Sequence, residues 1–139
     1  MKKPLLLFAL KCCVIVYFAA CTNIQHLADS KSVSPLLTKG NWQVNCYSNT
    51  SADNTCNFKG YTFSFNATGS VSAVKDGEKF NGNWIEDNIS KKITINFTSG
   101  NTVLNELNDY WNITAITNAG ISFEKTSHKE TEKFYITAL

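Results

Sequence analysis

The chain has 139 residues, of which 17% are charged and 12% aromatic, and its formal net charge is +2. All of its basic residues are lysines, and Lys2, Lys3 and Lys11 lie within the first 20 positions. Without residues 1–20, the 139-residue chain would retain 119 residues with ten lysines against eleven carboxylates. A near-neutral chain of this length forms one domain and lacks the basic surface that nucleic-acid binding requires.

The first 20 residues have the pattern of an export signal. Lys2 and Lys3 precede a largely apolar run from Leu5 to Ala20, which ends in small residues directly before Cys21. A basic start, an apolar middle and small residues at a cleavage site are typical of a secretory signal peptide. A membrane span needs roughly 20 apolar residues, whereas this run is shorter and is interrupted by Lys11. An ordinary secretory signal and an uncleaved anchor are the alternatives.

The segment Phe18-Ala19-Ala20-Cys21 resembles the lipobox of bacterial lipoproteins, whose signal peptidase cuts before a lipid-modified cysteine. Phe18 stands where leucine is usual. The resemblance implies lipidation of Cys21 and attachment to a membrane through its acyl chains. Thr22 occupies the position where aspartate would signal inner-membrane retention, so the resemblance implies an outer-membrane lipoprotein. No acidic run follows the cysteine, which favours a domain that faces the periplasm.

The remaining chain divides into a polar tether, residues 21–33, and a folded domain, residues 34–139. Ser34-Pro35-Leu36-Leu37 predicts one helical turn, with serine as its cap and proline at its first position. After Gly40, apolar and polar residues alternate with a period of two, which predicts strands with one apolar face. There are eight such strands, around Trp42–Cys46, Tyr61–Phe65, Val71–Ala73, Phe80–Trp84, Ile93–Phe97, Trp111–Ala115, Ile121–Phe123 and Phe134–Ala138.

Turn sequences separate these strands at short intervals. Asn66–Gly69, Asp76-Gly77, Ser99–Asn101 and Asn118–Gly120 all carry turn-forming residues. The intervals are too short for crossover helices, although residues 103–107 predict a short helical turn. Neighbouring strands are therefore expected to pair antiparallel, up and down. Closure removes the exposed sheet edges, so the sequence predicts an all-β, eight-stranded antiparallel barrel, with a two-sheet sandwich as the alternative.

Several segments together resemble the lipocalin-like domain of small bacterial lipoproteins. They are Leu36–Trp42, with its Gly-x-Trp at the first strand, Gly60–Gly69, Gly82-Asn83-Trp84 and Leu104–Trp111, and they cover roughly residues 36–139. The resemblance implies a lipocalin-like up-and-down barrel. It implies no functional residue apart from the lipidated Cys21, because the family is largely uncharacterised.

Two cysteines, Cys46 and Cys56, remain in the predicted domain. Outside the cytoplasm such a pair favours a disulfide, which would close a small loop and stabilise the fold by about 2–3 kcal/mol. Free thiols and a zinc site are the alternatives, and zinc is disfavoured because no histidine lies nearby in the sequence.

The sequence offers little catalytic chemistry. His26 lies in the tether and His128 in a polar turn, so neither is positioned as a base. The acid pairs Glu86 with Asp87, Glu106 with Asp109, and Glu130 with Glu132 fall at strand ends and in loops, where solvated surface charge is expected. No phosphate-binding glycine loop is present. We therefore expect a non-enzyme with no catalytic residues, no metal site and no cofactor.

Binding is the better-supported class of function. An eight-stranded barrel either holds one small ligand or is filled by its own side chains. Ten large rings are predicted on the apolar faces, which favours a filled barrel that acts as an accessory, interaction or structural module with an envelope protein partner. The alternative is a small apolar ligand in the barrel mouth. Its candidate contacts are Trp42, Tyr61, Phe63, Trp84 and Trp111.

Overall fold

The computed structural model describes residues 32–50 and 52–139. The predicted signal peptide, the predicted lipidation site at Cys21 and His26 lie outside these residues. The elements in chain order are α1 (Ser34–Leu37), β1 (Asn41–Asn49), β2 (Ala52–Asp53), a 3₁₀ helix (Thr55–Phe58), β3 (Thr62–Phe65), β4 (Ser70–Lys75), β5 (Glu78–Asp87), β6 (Lys92–Phe97), α2 (Thr102–Asn105), β7 (Asp109–Ile116), β8 (Gly120–Ser127) and β9 (Glu130–Ala138).

The strands form one antiparallel sheet that closes on itself. From β3 to β9 each strand pairs with the next in the chain, β1 pairs with β3, and β1 also pairs with β9 along most of its length. The two-residue β2 pairs only with the end of β1 and stands outside the ring of eight. The predicted eight-stranded antiparallel barrel is therefore confirmed, and closure leaves the long strands without an unpaired edge.

The strand directions define two ends of the barrel. The α1 end carries α1 and the turns at 66–69, 88–91 and 117–119, whereas the loop end carries the 3₁₀ helix, α2 and the turns at 76–77 and 128–129. Both predicted helical turns are present. Leu37 of α1, Phe58 of the 3₁₀ helix and Leu104 of α2 are fully or almost fully buried. Each end is thus covered by a short helix that inserts an apolar side chain.

The domain begins earlier than the sequence indicated. Ser32 and Val33, which the sequence analysis assigned to the tether, are held on the barrel, and Val33 is completely buried. Val33 occupies the cap position of α1 without a side-chain cap bond, while Ser34 and Pro35 form its first turn. The predicted serine cap is therefore replaced by a contact from elsewhere in the fold.

Two β-bulges interrupt the alternation that the sequence predicted. The register between β1 and β9 shifts between Val44 and Cys46, so Tyr47 rather than Cys46 shares the inner face with Phe134. The register between β7 and β8 shifts between Ile113 and Ala115. An inserted residue of this kind reverses the face of every later side chain on the strand.

The predicted disulfide between Cys46 and Cys56 is not formed. Cys56 is a free, exposed thiol on the 3₁₀ helix. Cys46 is only 5% exposed and lies opposite Tyr135 on the outer face of β1, because the bulge turns it away from the interior. The 3₁₀ helix buries Phe58 and leaves Cys56 facing solvent. Proximity in sequence therefore does not bring the two sulfur atoms together.

Strand β5 pairs with β4 along its first part and with β6 along its second part. Residues 78–83 pair with β4 and residues 82–87 pair with β6, so Gly82 lies opposite Val71 on one side and Phe97 on the other. A Cβ atom at Gly82 would lie 2.4 Å from the carbonyl oxygen of Asn96 and 2.9 Å from the Cα of Phe97. Both distances are shorter than van der Waals contact, so only glycine allows the two backbones to approach here.

We expect Gly82→Ala to lower the free energy of unfolding by about 1–3 kcal/mol, because the added methyl group must displace the β6 backbone. Gly100→Ala is the matched control, since a Cβ at Gly100 meets no atom within 4 Å, and its effect should stay within about 0.5 kcal/mol. Urea denaturation of both variants measures the difference. Equal stabilities would show that β5 and β6 are not closely packed at this point.

Candidate functional site

The five predicted ligand contacts lie in the barrel core. Trp42, Tyr61, Phe63, Trp84 and Trp111 are each at most 7% exposed. Their rings pack against other rings of the interior: Phe65 lies 5.6 Å from Trp84, Phe97 lies 6.2 Å from Phe63, and Phe134 lies 4.6 Å from Trp111, measured between ring centroids. Such edge-to-face contacts are favourable arrangements for aromatic side chains. The five side chains therefore belong to the aromatic core of the barrel.

Each tryptophan also fixes a segment that covers one end of the barrel. The indole N–H of Trp42 donates to the carbonyl of Leu37, that of Trp84 to Asn66, and that of Trp111 to Leu107, at 2.9–3.0 Å. These carbonyls belong to the end of α1, the turn between β3 and β4, and the segment after α2. The indole rings thus join the strands to the end caps.

A carboxylate from β5 binds the start of α1. Glu86 accepts hydrogen bonds from the Ser32 hydroxyl at 2.7 Å, the Val33 amide at 2.7 Å and the Ser34 amide at 3.0 Å, and it also accepts one from the Ser34 hydroxyl. A negative charge at the first amides of a helix is favourable. The expectation that Glu86 is a solvated surface charge is therefore wrong.

The hydrogen bonds determine the charge state of Glu86. Burial by itself raises the pKa of this carboxyl, but the donors from Ser34, Ser32 and the two backbone amides outweigh it and hold the pKa below its usual value. Asp87, its neighbour in sequence, points elsewhere and accepts bonds from the amides of Ile89 and Ser90 in the β5–β6 turn. The two acids thus have separate structural roles.

A second polar group, the mouth cluster, lies at the loop end of the barrel. It comprises Tyr47, Glu106, Asp109, Lys125 and Glu132. The Lys125 ammonium lies 3.0 Å from the Asp109 carboxylate and 3.1 Å from that of Glu132. The Tyr47 hydroxyl donates to Glu132 at 3.0 Å. Two carboxylates, those of Asp109 and Glu132, therefore bind one ammonium group.

The mouth cluster rests directly on the aromatic core. The Lys125 ammonium lies 4.8 Å from the ring centroid of Trp111, which is within range of a cation–π contact. Burial lowers the pKa of Lys125, but the hydrogen bonds and charges of Asp109 and Glu132 outweigh this and hold the pKa above its usual value. The ammonium therefore stays charged and closes the mouth above the rings.

Glu106 is the member of the mouth cluster whose negative charge is unfavourable. One of its carboxylate oxygens is buried without a hydrogen-bond partner in the structure. Burial, and then the charge of Glu132, raise the pKa of Glu106 above its usual value. Burial and the nearby Glu132 also raise the pKa of Tyr47. Glu106 thus carries its negative charge at a cost to the folded state.

The sequence analysis named Glu106 and Asp109 but missed Tyr47, Lys125 and Glu132 as their neighbours. Lys125 pairs directly with Glu132, two positions beyond the inward pair of Phe123 and Phe134. Continuation of the same alternation therefore places both charges on the inner face. Opposite charges in register at the end of an apolar face were the available signal.

An external cleft of about 690 Å³ lies beside the α1 end, against the outer face of β5 and β6. It is called the β5–β6 cleft here and is lined by Ser34, Ala67, Thr68, Gly69, Asn83, Trp84, Ile85, Glu86, Asn88, Thr94 and Asn96. Ile85 is 68% exposed and lies opposite Thr94, and Asn83 lies opposite Asn96. Apart from the Glu86 carboxylate, the lining is uncharged, with amide, hydroxyl and apolar groups.

His128 lies in the exposed turn between β8 and β9, as predicted, and contacts only the Ser127 hydroxyl. Within residues 32–50 and 52–139, no three His, Cys, Asp or Glu side chains converge so as to hold a metal ion. No helix in this part of the chain is long and apolar enough to cross a bilayer.

Comparison with known proteins adds information on the fold. No family model and no curated protein matches the sequence. A crystal structure of a DUF4847 family protein from Bacteroides vulgatus superposes with a TM-score of 0.53 at 14% identity, and the match covers 74% of this chain and 96% of that one. An uncharacterized protein from Bacteroides eggerthii gives a TM-score of 0.43 at 14% identity, over 69% of this chain and 96% of that one. The likeness to the first shows the fold alone.

The Glu86 contact predicts a pH-dependent stability. We expect Glu86→Gln to lower the free energy of unfolding by roughly 1–3 kcal/mol at pH 7, because the helix donors lose a charged acceptor. The folded chain lowers the pKa of Glu86, so this contribution is present above the ordinary glutamate pKa and is lost as the pH falls through the folded value. Chemical denaturation at pH 7 and pH 3 measures it. Glu78→Gln, on the same strand but exposed, is the control, and an equal effect of both changes would contradict the contact.

Glu106→Gln is expected to change the free energy of unfolding in the opposite direction to Glu86→Gln. The folded chain raises the pKa of Glu106, so its charge destabilises the fold at neutral pH and ceases to do so below the ordinary glutamate pKa. The amide should therefore raise the free energy of unfolding at pH 7, and the gain should vanish near pH 3. Glu130→Gln, at an exposed position of the same end, should have little effect. A loss of stability in Glu106→Gln at pH 7 would refute the electrostatic account.

Proposed function

We propose that this protein is a lipocalin-like lipoprotein of the cell envelope, anchored through acyl chains on Cys21, whose barrel acts as a non-catalytic accessory or interaction module. The lipobox-like segment before Cys21 supports the anchor, and Thr22 supports an outer-membrane position with the domain in the periplasm. The up-and-down barrel is the fold that the lipocalin-like resemblance implies.

The observation that carries this proposal is the filled interior. All three tryptophans are buried against other rings or against the segments that cover the ends. A barrel of eight strands has an interior just wide enough for side chains or for one small ligand. Because large rings occupy that space, we expect a binding partner to contact the outer surface of the barrel.

Carriage of a small apolar ligand, the alternative function, is less well supported. Such a ligand would have to enter through a mouth that Lys125 closes by its bonds to Asp109 and Glu132. Separation of these partly buried ion pairs would leave charges without partners at a site that is only partly solvated, which is unfavourable. The rings beneath it would also have to move, because Trp111 packs directly against Phe134.

The β5–β6 cleft is the surface that best suits an interaction module. Ile85 presents apolar surface, and the side chains of Asn83 and Asn96 make no hydrogen bond within the described part of the chain. Unused amide donors and acceptors beside an exposed aliphatic side chain are suited to a polar but uncharged partner surface. We place the contact with an envelope protein here.

Mass spectrometry of the protein extracted from its native membrane tests the whole proposal. The denatured mass should exceed that of the mature polypeptide by several acyl chains, and the native mass should equal the denatured mass because no ligand occupies the barrel. Cys21→Ala is the control and should lose the added mass and the membrane attachment. An unmodified polypeptide would refute the anchor, whereas a stoichiometric non-covalent adduct would refute the filled module in favour of a carrier.

A further inference from the structure

We infer that the α1 end of the barrel lies against the surface of a phospholipid bilayer, with the loop end and the mouth cluster pointing away from it. This inference rests on the proposed anchor at Cys21, and it adds which face of the domain the membrane contacts. The observations behind it are the point where the chain enters the fold, the exposed apolar groups, and the distribution of charge.

The chain is fixed to the barrel at the α1 end. Glu86 holds Ser32, Val33 and Ser34 through the hydrogen bonds described above. Only residues 22–31 separate this point from Cys21. Ten residues reach at most about 33–36 Å when fully extended and span roughly 16–19 Å as a flexible coil. The acyl chains therefore keep the α1 end within one tether length of the bilayer.

The opposite end lies further from the attachment point than ten residues span as a flexible coil. The longer strands have nine or ten residues, which places the loop end roughly 20–25 Å further along the barrel axis when the strand tilt is included. A domain held by one end presents that end to the surface unless another force rotates it. The surface properties of the α1 end decide whether contact is favourable.

The α1 end carries an isoleucine held out into solvent. Ile89 is 97% exposed at the tip of the turn between β5 and β6. The turn is rigid, because the Asp87 carboxylate accepts bonds from the amides of Ile89 at 2.9 Å and Ser90 at 3.2 Å. Pro35 of α1 is also exposed at this end. Apolar side chains projected from a rigid turn are suited to the headgroup boundary of a bilayer.

The distribution of side-chain charge also favours contact of the α1 end with the bilayer. Lys39, Lys91 and Lys92 lie at the α1 end together with two carboxylates, Glu86 and Asp87, a balance of +1. The rest of the described chain carries six lysines and eight carboxylates, a balance of −2. Among side chains, the negative charge is therefore greater toward the loop end, so an anionic phospholipid surface repels the loop end more strongly than the α1 end, over distances of about a Debye length.

The free thiol of Cys56 provides a natural reporter at the loop end. The lipidated protein is bound to vesicles of phosphatidylethanolamine and phosphatidylglycerol that contain nitroxide-labelled headgroups, and a fluorophore is placed either on Cys56 or, in Cys56→Ser/Asn88→Cys, beside Ile89. We expect at least threefold stronger quenching by the nitroxide at position 88 than at Cys56. Ile89→Ser should reduce the quenching at position 88. Val74→Ser, an exposed apolar position at the loop end, should not.

The possible results separate the two proposals. Equal quenching at both positions, or stronger quenching at Cys56, overturns the orientation while the anchor stands. Failure of the wild-type protein to float with the vesicles overturns the anchor and the orientation together. Self-quenching between fluorophores at position 88 without quenching by lipid would mean that this end contacts a second copy of the chain, which also overturns the inference.

Discussion

The fold depends on burying three indole rings without leaving their N–H groups unpaired. A buried donor without a partner costs about 1–3 kcal/mol, so each ring must reach an acceptor from inside a closed barrel. Trp42, Trp84 and Trp111 do so by bonding carbonyls of the segments that cover the ends. The residues that fill the core therefore also position α1, the β3–β4 turn and the segment after α2, so the core and the end caps depend on one another.

The parts of this fold that local patterns determine were predictable from the sequence. Strict alternation identified the eight strands of the ring, and turn residues such as Asp76-Gly77, with positive φ at both positions, identified the connections. The bulge in β1 was not predictable, because two consecutive apolar residues, Cys46 and Tyr47, follow the shift. A continuous apolar pair is compatible with either face, and only packing against Phe134 decides which residue turns inward.

Among the polar contacts, too, some were predictable from the sequence and others were not. Sequence neighbours such as Glu86 and Asp87 suggested pairs of surface acids, yet Glu86 binds Ser34, 52 positions away, and Tyr47 binds Glu132, 85 positions away. Barrel closure creates such contacts, since it joins the first and last strands of the ring. Lys125 and Glu132 are an exception, because their inward phase follows from the apolar residues before them. Sequence reasoning can find a charged pair of that kind, but not a contact between distant loops.

The use of the acidic groups also bears on where function resides. Glu86 and Asp87 are committed to the helix and the turn at the α1 end, and Asp109 and Glu132 are committed to Lys125 at the mouth. Large rings lie in the interior, so the proposed function places recognition on the outside of the barrel, in the β5–β6 cleft. That cleft includes Ser34 and Asn88, which belong to the same end as Ile89. With the anchor and orientation proposed above, a partner seated in the cleft would be held beside the bilayer, where contacts with the barrel and with lipid reinforce one another.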